Sequence, residues 1–562
     1  MKRFLLPAFA LALAVNANAT SFQANMAAEQ QTETAQNSQT YKGKLTVYQE
    51  GDVMGEPSDA TIIVSEENDG TYTFILKNFS ISLGGEPTLI GDATVSGIYP
   101  KKENGEIILE AENIDAPITG GISSTLKDNK VVMTMKATIG EFLNTKVLKA
   151  DISYIGVTFA GSDFTLTVNA IFTPEMPNQI AGDFDEAWVN CIPWDSGKGK
   201  KKEYGTQPNG WTVSNVTASS SIVAKSVEGF NKTGYAVKIE NVSAVYNQKV
   251  PGYLTLGTPW ATAHFVGVVK NADGGTFGGK KFTYRPDAIS FDYQRDNSKG
   301  KENATAIAYI WKGYWTQTNV PGNTGIFANP TPCTMVNRDR NILGNETSAT
   351  LGDKPAKPSE GAKLIAKLEQ SISESTKGTW KSMTIPFTYN DKTAVPEYIN
   401  VIFAANDYFG DRNGIVAGNS LTIDNVKLVY YHALNSLTYN GNKVANFDEG
   451  TTEYTLNGKL VEDFDKVKFT IKGVGATYDV AKDEANNVAT ITVKGNDYDV
   501  NPSSKTVYTI KFDGTVGING ITTSTTTANG AIYDLSGRQL KTMQKGINIV
   551  RGKDGKMIKV MK

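Results

Sequence analysis

The sequence predicts an all-β, multidomain protein, and three observations lead there. Short apolar stretches alternate with a two-residue period, as in "KLTVYQ", "TYTFILKNF" and "VVMTMKATI". The 53 glycines and the many Asn-Gly and Asp-Gly pairs are hairpin chemistry. At 562 residues the chain exceeds what one hydrophobic core serves, so about three or four domains are expected.

Charge narrows the function classes. Lys+Arg 56 against Asp+Glu 58 leaves a formal net charge of −2, which carries no basic footprint for nucleic acid. The N-terminus reads as a signal peptide over residues 1–19. Lys2 and Arg3 begin it, Phe4 to Val15 form the apolar run, and Ala17-Asn18-Ala19 is the small-x-small cleavage signal. The mature start falls near Thr20, and no cysteine follows the cut to carry a lipid. The run is too short to span a bilayer, so export is expected, to the exterior or outer-membrane surface, with the periplasm as fallback.

Residues 20–40 are polar and unpatterned, a flexible leader. Residues 41–174 then read as one strand after another without a helix between. Leu45 and Val47 share a face, as do Tyr72, Phe74 and Leu76, then Met133, Met135 and Ala137, then Phe164, Leu166, Val168 and Ala170. That spacing predicts an antiparallel meander or barrel. The order "YKGKLTVYQEG…DGTYTFILKNFSI…VSGIYPKK…TVNAIF" resembles the calycin-like, lipocalin-related domain of exported Bacteroidetes proteins. The resemblance implies a small barrel with room for an apolar ligand; the simpler reading has the Met and Phe side chains fill it.

Residues 178–432 hold every tryptophan of the chain: Trp188, Trp194, Trp211, Trp260, Trp311, Trp315 and Trp380. An exported domain rich in indole has either a thick aromatic core or a surface for flat apolar faces. Sugar rings have such faces, with hydroxyls that reach Asp, Asn and Arg. Trp211, opening the strand "WTVSNV", reads as core. In "YIWKGYW" an extended chain puts Tyr309, Trp311 and Trp315 on one face and Ala306, Ala308 and Ile310 on the other. Such a strand is either buried on both sides or presents aromatics in a cleft. The loop "NDYFGDRNG" gathers Asp407, Tyr408, Asp411, Arg412 and Asn413 at a strand end, either for polar sugar contacts or as a solvated turn. "SEGAKLIAKLEQSI" reads as the one helix, with Leu364, Ile365, Leu368 and Ile372 on a face and Ser359 as cap.

"SLTIDNVKLVYY" changes phase: Leu421 and Ile423 are apolar on odd positions, then Val426, Leu428 and Tyr430 on even ones. The flip predicts an inserted residue at Asp424–Asn425.

Three stretches carry a second resemblance. "AGDFDEAWVN…PNGWTVSNV" and "RPDAISFDYQRD" resemble strands of jelly-roll carbohydrate-binding modules. "TWKSMTIPFTYND…PEYINVIFAANDYFGDRNGIVAGNSLTIDNVKLVYY" resembles the ending of PCMD, a carbohydrate-metabolism domain of gut Bacteroidetes. The likeness implies a jelly-roll sandwich with a glycan-related role. In related modules an acid at the closing bend holds a structural calcium. By that analogy Asp424 joins Asp183, Asp185 or Glu186 as hard oxygen ligands; the alternative is an Asp bonding its own backbone. No other cofactor is implied. Cys191 and Cys333 are the only cysteines and are able to pair in an oxidising compartment, or are unrelated.

Residues 434–514 form a smaller, tryptophan-free strand set, with Val467, Phe469 and Ile471, Ala489, Ile491 and Val493, and Tyr508, Ile510 and Phe512 in phase. An Ig-like sandwich acting as a spacer is expected. Residues 521–562 are a Thr-rich linker and a basic tail. "YDLSGR…KGINIV…KMIKVMK" resembles the sorting domain of the type IX secretion system, which implies that machinery as a partner and cleavage of the tail.

The expected function is glycan binding without catalysis. The alternatives are a glycoside hydrolase or lyase using the same cleft, or a lipocalin-like carrier. Asp287, Asp292, Asp296, Asp407 and Asp411 have no spacing that selects a carboxylate pair.

Overall fold

A computed structural model describes residues 38–83, 86–103, 105–191, 194–195, 201–202, 205–215, 222–244, 249–266, 268–313, 363–410, 414–514, 531–551 and 557–562. The signal peptide, most of the leader, Trp315, Cys333, Ser359, Asp411, Arg412 and Asn413 lie outside these residues.

The chain is all-β and begins with a closed eight-stranded barrel. Its strands are β1 (Ser38–Gln49), β2 (Ser58–Glu66), β3 (Tyr72–Leu83), β4 (Glu86–Ile98), β5 (Glu106–Thr119), β6 (Lys130–Phe142), β7 (Thr145–Thr158) and β8 (Thr165–Pro174). Each pairs antiparallel with the next, and β1 closes the ring on β8 from Gly43↔Pro174 to Tyr48↔Asn169. Closure needs a glycine at 43, because a Cβ there would meet the Thr173 carbonyl and the Phe172 ring. The predicted inward sets hold, with one exception. Phe164 precedes β8 and is 69% exposed, so the inward face of that strand is Val168, Ala170 and Phe172.

The barrel is filled. Met133 is 0% exposed, Met135 2%, Phe74 0% and Phe172 1%. A ligand-sized cavity would leave its lining side chains with accessible surface, and these have almost none.

The next strands are β9 (Ala224–Glu228), β10 (Tyr235–Glu240), β11 (Tyr253–Thr255), β12 (Ala288–Asp296), β13 (Ala304–Lys312), β14 (Lys363–Ile372), β15 (Lys381–Pro386), β16 (Tyr398–Ala404) and β17 (Ser420–Val429). One sheet runs β9-β10-β17-β12-β15, and the facing one β11-β16-β13-β14, every pairing antiparallel. From β10 to β17, successive strands swap sheets except between β13 and β14, the strand order of a jelly roll. Leu254, Ile289, Phe291, Phe403, Leu421 and Ile423 fill the space between. The barrel reaches this core too: Leu143, in the β6–β7 turn, belongs to it and is 5% exposed.

The expected helix is a strand. β14 pairs with β13 and carries a bulge opposite Ile310 and Trp311, where Ala366 and Leu364 are successive partners. The extra residue lets Ile365, Ala366, Leu368 and Ile372 reach one core. Apolar residues three and four apart, with polar Lys367 and Glu369 exposed, imitate a helical face.

Residues 431–498 and 502–562 form a separate unit. Within it, Ala433–Tyr439 lies between Asn442–Lys443 and Val467–Lys472. A four-stranded sheet orders Glu453–Leu456, Lys505–Phe512, Val488–Lys494 and Thr477–Asp483. Ile491, Val493, Tyr508 and Ile510 are all 0% exposed in its core. The tail is a four-stranded sheet whose "YDLSGR" turn is tied by Asp534, which accepts the Ser536 and Arg538 N–H groups at 2.9 Å each.

Candidate functional site

The jelly roll places the predicted residues in three different settings. The first is the face of the β11-β16-β13-β14 sheet that points away from the sandwich core. Tyr253, Ile307, Tyr309, Trp311, Ile402 and Tyr408 pack there into a cluster of their own. Strand β13 is thus buried on both sides, and the aromatic-cleft alternative for it does not hold. Tyr309 is 4% exposed and Trp311 1%. The Trp311 indole stacks on Tyr398 at 5.4 Å, and a Cβ on Gly279 would come within 2.7 Å of it. Its N–H finds no acceptor among the described residues.

The second setting is the β16–β17 connection. Tyr408 is buried edge-on against Tyr253, its hydroxyl accepting the Thr276 N–H at 3.0 Å. Asp407 is exposed and accepts the Phe409 N–H at 3.2 Å. The connection stands on a buried polar network that the sequence did not announce. Arg295, 1% exposed, donates Nη1 to the Ala405 and Ser420 carbonyls at 3.0 Å each and Nη2 to the Glu302 carbonyl at 2.8 Å. Glu302 Oε2 accepts from Asn241 Nδ2 (3.0 Å), the Val416 N–H (3.1 Å) and Asn419 Nδ2 (3.2 Å).

Burial raises the Glu302 carboxyl above its ordinary range, against the Val416 and Asn419 hydrogen bonds and the Arg295 charge. The folded state therefore holds this proton more tightly than the unfolded chain. Wild-type stability relative to Glu302→Gln is expected to rise as pH falls through the raised folded value, levelling off near the ordinary glutamate value of about 4.3. Melting curves of both proteins between neutral and acid pH check it; a difference that grows as pH rises contradicts it.

The third setting is the kink in β17. The register slips between Ser290↔Lys427 and Asp292↔Asp424, and Asn425 takes φ 51°, so the inserted residue lies where the phase flip predicts. Asp424 is 3% exposed and accepts the N–H of Asn425 (2.7 Å) and that of Phe230 (2.7 Å). Burial raises its carboxyl above the usual range, countered by those two N–H groups, with Asp185 and Asp292 adding to the rise. Asp185 accepts the Tyr235 N–H at 2.7 Å, and Glu186 accepts from Asn209 Nδ2 at 2.8 Å. Asp183 is exposed.

Among the described residues no three or more His, Cys, Asp or Glu side chains gather to hold a metal. Both Asp424 oxygens serve backbone N–H groups, so this acid bonds the kink and pins the start of the Phe230–Tyr235 turn, while Asp185 pins its end. Among the described residues the buried Cys191 thiol forms no disulfide, and it accepts from Asn215 Nδ2 at 3.3 Å.

Sequence reasoning missed two groups. Arg295 and Glu302 are more than a hundred positions from the Ala405, Ser420 and Val416 groups they bind, and only long-range folding brings them together. Trp380 and Phe230 are 150 positions apart in sequence numbering and meet edge-to-face at 5.8 Å.

Residues 38–173 match a family described as a calycin-like beta-barrel domain, close to the barrel expected over 41–174. No curated protein matches the chain.

Proposed function

We propose, starting from a chain whose residues 38–173 form a calycin-like β-barrel domain joined to a jelly roll, that the protein is an exported, non-catalytic carbohydrate-binding protein whose jelly roll holds the glycan. The observation that carries this is the jelly-roll strand order in the segment that holds all seven tryptophans. The PCMD-like stretches of that segment support it, and the signal-peptide pattern and sorting-like tail support surface delivery through the type IX machinery.

The mature full-length protein on a glycan array tests the reading. Selective binding to a few glycans is expected, and a blank array overturns it. The full chain is needed because a fragment beginning at residue 178 would leave the sandwich core without Leu143. Incubating bound glycans and measuring reducing ends separates binding from the hydrolase alternative; products that accumulate with time would favour an enzyme.

The calycin-like barrel favours a second reading, a carrier of an apolar ligand in its interior. The packed Met133 and Met135 argue against it. A fluorescent fatty-acid probe is expected to show no saturable binding.

A further inference from the structure

With Trp311 and Tyr309 buried, a sugar-binding jelly roll needs its aromatic platform elsewhere. Trp188 packs partly against the sandwich core, and Trp211 is 1% exposed within it. Trp380, the residue before β15, is different. It is partly exposed, belongs to no hydrophobic core, and packs edge-on against Phe230, also partly exposed and outside every core. Tyr235, 54% exposed, closes the turn that Phe230 opens.

The chain builds this corner at a cost in backbone conformation. Left-handed φ values occur at Phe184 (57°), Asn231 (54°), Lys232 (60°), Lys377 (52°) and Asn425 (51°). Asn231 and Lys232 lie in the Phe230 turn, Lys377 three residues before Trp380, and Asn425 at the kink that holds the turn, while Phe184 precedes Asp185. Such conformations persist where surrounding contacts over-determine them. The contacts here are specific: Asp424 holds the Phe230 N–H and Asp185 the Tyr235 N–H. Gly234 takes φ 60° and has no room for a Cβ against the Asp185 carboxylate.

We infer that the Phe230–Trp380 pair, set beside the Asp424 kink and the turn held by Asp185, is a subsite for one neutral sugar ring. The inference rests on the glycan reading above. Two rings offer area for one sugar face rather than for a protein partner. Exposed Asp185, tied to the turn through the Tyr235 N–H, is placed to accept a sugar hydroxyl, and exposed Lys232 and Lys377 lie in the segments of Phe230 and Trp380, so the corner carries both signs of charge. Asp424 is a positioning residue: it touches no ligand and fixes where Phe230 sits.

Two measurements on the mature full-length protein test this. The first is affinity electrophoresis through gels containing a β-glucan, a xylan, a galactomannan or an α-mannan, for wild type, Trp380→Ala and Trp380→Phe. Retardation of the wild type by at least one polysaccharide is expected, with Trp380→Ala weaker by at least about ten-fold and Trp380→Phe between them. The second needs no variant: N-bromosuccinimide oxidation mapped by mass spectrometry, with and without the retarding polysaccharide. Trp380 is expected to oxidise before Trp211 and Trp311 and to be protected by the sugar. Retardation without Trp380 protection overturns the subsite and leaves the glycan reading standing. No retardation by any of the four overturns the subsite, and a blank glycan array as well overturns the reading it rests on.

Discussion

Replacing Arg295 by methionine is expected to destabilise the jelly roll by about 3–5 kcal/mol, the usual consequence of deleting one partner from a buried charged network. Methionine keeps most of the aliphatic stem, so the loss isolates the guanidinium. That group satisfies the carbonyls of Ala405, Ser420 and Glu302, which come from three segments: the end of β16, the start of β17 and the approach to β13. Without it the Ser420 and Glu302 carbonyls lose their guanidinium donor, at about 1–3 kcal/mol each unless water enters, while the Ala405 carbonyl keeps Asn241 Nδ2 at 3.3 Å. Opposing this is the gain from no longer burying a cation. Burial pushes the Arg295 pKa down to about 10, still far above neutral, so the group stays charged and its removal strands its partners. Denaturant unfolding followed by tryptophan fluorescence reads the change, since every tryptophan lies in the segment that forms this domain. A Met variant as stable as wild type would mean the carbonyls find equal partners in water.

Trp311→Ala is expected to cost a similar amount, about 3–5 kcal/mol, by the cavity it leaves. The ring lies between Tyr398 and Gly279 on a face whose members are themselves buried, so the surroundings have little freedom to collapse. An exposed platform residue would behave oppositely, losing ligand affinity with stability almost unchanged. Thermal unfolding of this variant therefore separates the two roles directly. A melting temperature equal to that of wild type would return Trp311 to the surface and restore it as a ligand platform. For the same reason, lost glycan binding in Trp311→Ala says nothing about the binding site unless the variant is shown to be folded.

What could be read from the sequence depended on how local the determining physics was. The barrel strands were legible because side chains on a strand alternate faces, so Phe74, Met133 and Ala137 declare their direction within a few residues. The kink at Asp424–Asn425 was legible for the same reason, since one inserted residue reverses the phase. The same rule misled in β14, where a bulge and the exposed Lys367 and Glu369 gave a strand the spacing of a helix. Pairing with β13 decided that conformation, and no window of the sequence contains its partner. Burial was the other undetermined quantity. Tyr309 and Trp311 occupy one face as predicted, but whether that face meets sugar or protein depends on what lies across it. Arg295 became a buried anchor, and Trp380 found Phe230, only when β12, β15 and β17 came together in one sheet with the turn after β9. The sequence by itself determined periodicity, turn chemistry and the residues rich enough in indole to suggest a sugar. The tertiary structure decided which of those residues are core, because burial is a property of what the rest of the chain places against a side chain.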